Sequence, residues 1–111
     1  MKHLTRVEEI LLVTILKLGA DAYGVGIRDH IRRDLNEKWS FGSIYPALDK
    51  MVRLGFLRRI KGEPRAERGG KSRFYYRVTA VGIEALERVR TMHDKLWSDL
   101  PAEASGRSGK Q

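Results

Sequence analysis

The chain has 111 residues, no cysteine, and 22 basic against 14 acidic side chains, which leaves a formal charge of +8. This length fits one domain, and without cysteine there is no disulfide framework, thiolate nucleophile or thiolate metal ligand. No stretch approaches the ~20 apolar residues of a membrane span, and the N-terminus lacks a signal-peptide core, so we expect a cytoplasmic protein. The positive charge indicates a polyanionic partner, either nucleic acid or an anionic membrane surface.

Residues 5–18 predict the first helix. Thr5 and Glu8 have the spacing of a capping box, and Gly19 supplies a stop. The segment between them is apolar on more than one side. In a small protein this predicts burial against a second chain as well as against the chain's own core.

Residues 22–35 predict the second helix, with Asp21 as its cap. Gly24 and Gly26 weaken a helix, and they indicate close approach of another helix or of another molecule. A turn over residues 36–39 follows, and we expect Trp39 to pack inward. The predicted inner stripe recurs at every fourth position and consists of Tyr23, Ile27, Ile31 and Leu35.

Residues 40–55 predict a short third helix, with Ser40 as its cap and Gly55 as a left-handed stop. We expect Pro46 to bend its start, because proline removes one helix hydrogen bond. The stripe facing the core consists of Ile44, Leu48 and Met51. The outward face combines donors with one aromatic ring and has no matched acidic row: Ser43, Tyr45, Asp49, Lys50 and Arg53.

Residues 56–61 and 72–78 predict two strands joined by a basic, glycine-rich loop. Phe74, Tyr76 and Val78 alternate with other residues at the period of a half-buried strand. Residues 58–73 include seven basic and two acidic side chains, the composition that phosphate contacts need. An isolated hairpin of this kind could equally be solvated, but its position directly behind a capped helix with a polar outer face favours DNA.

Thr79 caps a last helix that is predicted to run to about residue 98. Its stripe is spaced as in a short coiled coil and consists of Gly82, Leu86, Val89, His93, Leu96 and Leu100. The polar tail, residues 101–111, is expected to be disordered. The predicted fold is therefore mainly α with a small β-hairpin (α+β): a winged helix-turn-helix, residues 1–78, plus a long C-terminal dimerisation helix, residues 79–100.

Side-chain chemistry predicts how such a protein would contact DNA. At the start of the third helix, Ser40, Ser43 and Tyr45 can reach base edges or phosphates in a major groove. Lys50 can reach a guanine or a phosphate. Tyr45 has an equally good interpretation as a half-buried packing residue. The wing would contact phosphates or the minor groove through Arg65, Arg68, Lys71 and Arg73.

Three stretches together resemble the PadR family of transcriptional regulators. AYGVGIRDHI is similar to the family's "YGyeI", GSIYPALDKMVRLGFL to "gtlYpaLkrLeeeGlv", and KSRFYYRVTAVGIEAL to "rkyYrlTeeGrelL". They fall in the family order and cover about residues 7–97. Ser43 stands where the family commonly has threonine, and residues 51–53 replace a more acidic run, so this helix is more basic than the family pattern.

The resemblance implies a homodimeric DNA-binding transcription factor, most often a repressor, whose last helix crosses the partner subunit and packs with the first helix of each chain. It also implies a small planar, aromatic or phenolic effector near the dimer interface in some members. Trp97 is the candidate effector contact, although simple packing in the dimer is the stronger interpretation. The predicted dimer interface consists of Ile10, Val13, Leu86, Val89, His93, Leu96 and Trp97.

No pattern supports an enzyme or a cofactor. His3, His30 and His93 lie on separate elements without ligand spacing, so no metal site is predicted. The glycines of residues 23–26 open a helix that no strand precedes, which leaves a nucleotide site unsupported. Two alternatives to DNA binding remain. One is a winged helix that docks an acidic protein; the other is a basic peripheral membrane protein, whose apolar faces are already committed to a core and a dimer.

Overall fold

A computed structural model of the chain describes residues 3–63 and 73–104. The elements follow the predicted order: α1 (Arg6–Leu18), α2 (Gly24–Leu35), α3 (Phe41–Arg53), β1 (Leu57–Lys61), β2 (Phe74–Val78) and α4 (Ala80–Leu96). The mainly helical fold with one antiparallel hairpin is confirmed. No helix in these ranges is long and apolar enough to cross a membrane.

The capping box predicted for α1 is present. The Thr5 hydroxyl accepts a 3.1 Å hydrogen bond from the Glu8 backbone N–H, and Glu8 Oε1 accepts a 2.8 Å bond from the Thr5 N–H. Both bonds satisfy backbone donors that a helix start leaves without partners. The side of α1 that faces the core carries Leu11, Leu12 and Ile15, which are all buried.

The start of α2 differs from the prediction. Asp21 belongs to a short 3-10 turn and caps nothing, and the helix begins only at Gly24. The preceding residues are extended because they pair with β2: the Ala22 carbonyl accepts from the Tyr76 N–H at 2.9 Å. Leu35 was also wrongly assigned to the inner stripe, since it is 44% exposed where the last turn of α2 runs past the core.

The hairpin pairs Leu57 with Val78 at its base and Lys61 with Phe74 at its outer end. Leu57 and Tyr76 are buried on the face that covers the helices. Phe74 was expected on this inner face, but it is 46% exposed because it lies at the outer end of the hairpin. Burial raises the pKa of the Tyr76 phenol above its ordinary value.

The core lies between α1, α2, α3 and the hairpin. Its fully buried members come from all four elements and from the turn before α2: Leu11, Leu12, Ile15, Ala22, Ile27, Ile31, Ile44, Leu48, Met51, Leu57 and Tyr76. Trp39 packs against this cluster, as predicted. A domain of this size buries only about two-thirds of the surface that its unfolded chain exposes.

α4 leaves the core as it proceeds. Thr79 caps it by accepting from the Gly82 N–H at 3.1 Å, and Ala85 near its start is buried. Farther along, Leu96 is 69% and Trp97 63% exposed in the single chain. The described part of the tail contains a 3-10 turn (Ala102–Ala104) where disorder was expected; residues 105–111 lie outside the described ranges.

Candidate nucleic-acid interface

The third helix presents one open face to solvent. Ser40 caps it, because its hydroxyl accepts a 3.2 Å bond from the Ser43 N–H and donates to the Ser43 hydroxyl. A helix turns about 100° per residue, so the side opposite the buried stripe carries Gly42, Pro46 and Arg53. All three are exposed. Ser40 and Ser43 are exposed beside them, at the N-terminal end of the helix.

Tyr45 is both exposed and packed. Its ring stacks on Phe41 with centroids 5.5 Å apart, and 41% of the residue remains accessible. Its hydroxyl lies so close to the backbone of α2 that a Cβ atom on Gly24 would collide with it. The close approach predicted for Gly24 is therefore the contact between α2 and α3. Arg28 adds a cation over the Phe41 ring, 4.4 Å from its centroid.

Lys50 is held on the side of α3 that turns toward α1. Its ammonium pairs with Glu8 Oε2 at 3.1 Å, and Glu8 is only 3% exposed. Burial by itself raises the pKa of Glu8, but the Thr5 hydrogen bonds and the Lys50 ammonium outweigh it, so the net pKa lies below its ordinary value. The structure therefore commits the Lys50 ammonium to an ion pair at the edge of the open face on which the sequence had placed it.

Arg59 was counted in the basic hairpin but not singled out as a site residue. Its guanidinium forms a 3.1 Å ion pair with Asp49 of α3 and lies 5.1 Å from the centroid of the Phe74 ring. It thus joins the outer side of α3 to the outer end of the hairpin. Only the register of the hairpin brings these residues together, so no local sequence signal could have found the arrangement.

The four predicted wing residues fall into two groups. Arg73 directly precedes β2, and its guanidinium lies 4.0 Å from the centroid of the Tyr23 ring. Its carbonyl accepts from the Gly62 N–H at 2.7 Å, which closes the described end of the hairpin. The positions of Arg65, Arg68 and Lys71 lie outside the described residues. The structure thus brings Arg73 to the start of α2.

An apolar surface runs along α1 and α4, away from α3. Val13 and Leu16 of α1 are 37% and 48% exposed, and they line a groove with Ile83 and Leu86 of α4. The His93 imidazole lies 3.6 Å from the Glu9 carboxylate across the same two helices. Of the other predicted interface residues, Ile10 and Val89 are half-buried, whereas Leu96 and Trp97 are exposed.

The described residues contain no group of three or more side chains that could hold a metal ion.

The comparisons with known proteins agree with this architecture. The sequence pattern of the "Transcriptional regulator PadR-like family" matches residues 11–88. A transcriptional regulator from Clostridium thermocellum superposes with a TM-score of 0.68 at 23% identity, covering 81% of this chain and 84% of that chain. A PadR-like transcription factor from Bacteroides fragilis gives a TM-score of 0.67 at 22% identity, covering 81% and 82%.

A third solved structure, smu.1704 from Streptococcus mutans, aligns over 95% of this chain and 96% of its own, with a TM-score of 0.65 and 22% identity. No curated protein sequence matches the chain. At these identities the solved structures establish the fold, and the family pattern establishes the kinship. The chain belongs to the PadR-like family and is a transcription regulator, a class of non-enzymatic DNA-binding proteins.

Proposed function

We propose that the chain is a sequence-specific DNA-binding repressor that acts as a homodimer and is released from its operator by a small molecule. The observation that carries the proposal is the open face of α3 (Gly42, Pro46, Arg53) beside a hairpin with a large excess of cations. A helix of this kind fits a major groove, and the hairpin beside it can follow the phosphate backbone.

The exposed cations supply the sequence-independent part of the affinity. Arg53 is exposed on the open face, Arg59 is paired with Asp49 of α3, and Arg58 and Lys61 are exposed on the same strand as Arg59. In the proposal, Arg65, Arg68, Lys71 and Arg73 add phosphate or minor-groove contacts from the wing. Such contacts fix the register of the protein on DNA and make binding strongly dependent on salt.

In the proposal, the side chains at the start of α3 contact the base edges. Ser40 and Ser43 are exposed there, although the Ser40 hydroxyl is already engaged as a cap. Ser43 therefore has the greater freedom to bond a base edge or a phosphate. Tyr45 keeps less than half of its surface accessible and can offer its ring edge while it packs on Phe41.

The proposed dimer uses the apolar surface of α1 and α4. Its residues are Ile10, Val13, Leu86, Val89, His93, Leu96 and Trp97. Large apolar side chains on the outer half of α4 are exposed to solvent in the described chain. The α4 helix of a second subunit carries the same apolar side chains, so the two helices can bury them against each other. Two-fold symmetry then predicts two half-sites about one helical turn apart, ~34–36 Å.

The proposed effector site lies near Trp97, on the same surface. A tryptophan that is 63% exposed in one chain can stack on an aromatic ring or a planar cation when two subunits face each other. Simple packing of Trp97 in the dimer is the competing role. Release of bound DNA by a planar aromatic or phenolic compound, lost in Trp97→Ala, would distinguish effector binding from packing.

The deciding experiment measures binding of the pure protein to DNA from just upstream of its own gene and to random DNA across a salt series. Preference for the upstream DNA, with a steep salt slope on both, would support the proposal. Equal binding would indicate an architectural role or an operator elsewhere. Absence of binding to either DNA at low salt would reject DNA binding and favour the docking of an acidic protein.

A further inference from the structure

Glu8 is the one carboxylate that is buried within residues 3–63 and 73–104. Its two oxygens serve different elements. Oε1 accepts from the Thr5 backbone N–H at 2.8 Å and so closes the start of α1, whereas Oε2 pairs with the Lys50 ammonium of α3 at 3.1 Å. One side chain therefore ties the first helix to the recognition helix.

The two partners of this ion pair are unequally buried. The Glu8 side chain is 5% exposed and the Lys50 side chain 39%. If Lys50 left to contact DNA, it would leave a desolvated carboxylate with only hydrogen bonds from Thr5 to compensate its charge. Breaking a buried pair from one side is strongly unfavourable, because the remaining charge has neither water nor a counter-ion.

The direction of Lys50 on its helix shows what the ion pair prevents. Lys50 lies seven residues after Ser43, so the two share a flank of α3 that turns toward α1. The open face of the helix is centred on Gly42, Pro46 and Arg53, and Lys50 stands at its edge, four residues after Pro46 and three before Arg53. From this edge the Lys50 ammonium could reach either Glu8 or a phosphate, and the 3.1 Å ion pair holds it at Glu8.

We propose that Glu8 is a positioning residue for DNA recognition: its buried carboxylate holds Lys50, fixes α3 against α1, and keeps Lys50 from contacting phosphate. The inference rests on the proposed function. Because α1 also carries part of the proposed dimer surface, the pair links the helix that sets the spacing of the subunits to the helix that enters the groove. Sequence preference then depends on a residue that touches no DNA.

The test compares three changes, Glu8→Gln, Lys50→Gln and both together, on a random duplex and on a duplex that the wild-type protein selects from a random library. The double variant keeps two amides that can bond each other, so it should remain folded even where a single change does not. The matched control is Asp49→Asn with Arg59→Gln, which removes the same two charges from the exposed pair.

We expect the salt slope of the double variant to equal that of the wild type on the random duplex, because Lys50 neutralises no phosphate. The control should lose about 0.9 in slope for each phosphate contact that Arg59 makes. In Glu8→Gln, preference for the selected duplex over the random one should fall roughly tenfold (about 1.4 kcal/mol), with affinity for the random duplex retained or raised, because Lys50 is then free to contact phosphate. Partial unfolding would instead lower both affinities in proportion.

Urea unfolding supplies a readout without DNA. Each single change should lower the midpoint, and the double change should lower it by less than the sum, because the two side chains interact. Additive effects, a slope in the double variant that falls as in the control, or an unchanged preference in Glu8→Gln would each overturn the inference. Failure of the wild-type protein to bind any duplex, or to enrich any sequence, would instead reject the proposed function itself.

Discussion

The Thr79 hydroxyl donates a 2.6 Å hydrogen bond to the Gly55 carbonyl, and so joins the end of the recognition helix to the start of α4. The same oxygen accepts from the Gly82 N–H as the helix cap. The Thr79 backbone N–H also donates to the Phe56 carbonyl at 3.0 Å. A Cβ atom on Gly82 would collide with that carbonyl, which explains why glycine follows the threonine at this spacing.

Loss of this junction should destabilise the fold. Thr79→Ala removes both side-chain hydrogen bonds, and we expect the free energy of unfolding to fall by about 1–2 kcal/mol, the usual range for a lost cap. Thr79→Ser keeps the hydroxyl and is the matched control. Urea denaturation measures both, and an alanine variant as stable as the serine variant would show that the junction contributes nothing.

Gly24 should tolerate alanine only when Tyr45 is shortened. A Cβ atom at residue 24 has no room beneath the Tyr45 hydroxyl, so Gly24→Ala should destabilise the protein by about 1–3 kcal/mol through overpacking. In a Tyr45→Ala background the space is open, and alanine should then be at least as stable as glycine. Equal effects in the two backgrounds, measured as a double-mutant cycle, would contradict the contact.

Glu8 should make stability depend on pH in the acid range. Its pKa is lower in the folded chain than in the unfolded one, so the folded state binds fewer protons near pH 4 and stability rises with pH there. The contribution is complete above the unfolded pKa, about 4.3, and is lost as the pH falls through the lower folded pKa. We expect Glu8→Gln to remove this part of the pH dependence of the urea midpoint. Glu9→Gln changes the same net charge but leaves the Lys50 pair intact, and should keep the pH dependence.

The wing should contribute affinity without sequence preference. Arg68→Ala should weaken binding to all duplexes alike and lower the salt slope by about 0.9 per subunit, because one phosphate contact is lost in each. Arg68→Lys keeps the charge and should keep the slope. A change in base preference at an unchanged slope would assign Arg68 to the bases instead of the backbone.

The outer half of α4 should control the oligomeric state. Leu96→Asp places a charge in the proposed interface, and light scattering at micromolar concentration should show a monomer. Val81→Asp is the matched control, since Val81 is also exposed and apolar but lies at the start of α4, outside the stripe. A Leu96→Asp protein that remains dimeric would place the interface elsewhere.

Local patterns in the amino-acid sequence correctly predicted the order of the elements and most of their ends. Caps and stops depend on a side chain and a backbone group a few residues apart, as in Thr5 with Glu8 or Ser40 with Ser43. The periodicity that placed Ile44, Leu48 and Met51 in the core is equally local. Local rules therefore led to the winged helix, and the resemblance of three motifs led to the family.

Which polar side chains are paired with one another depends on the tertiary structure. Glu8 pairs with Lys50, Asp49 with Arg59, and the Arg73 guanidinium lies over Tyr23. The later start of α2 has the same origin, because Ala22 pairs with a strand far along the chain. Such contacts depend on how helices pack and on the register of a hairpin. A sequence pattern counts charges on a helix, but only packing brings together their partners from distant parts of the chain.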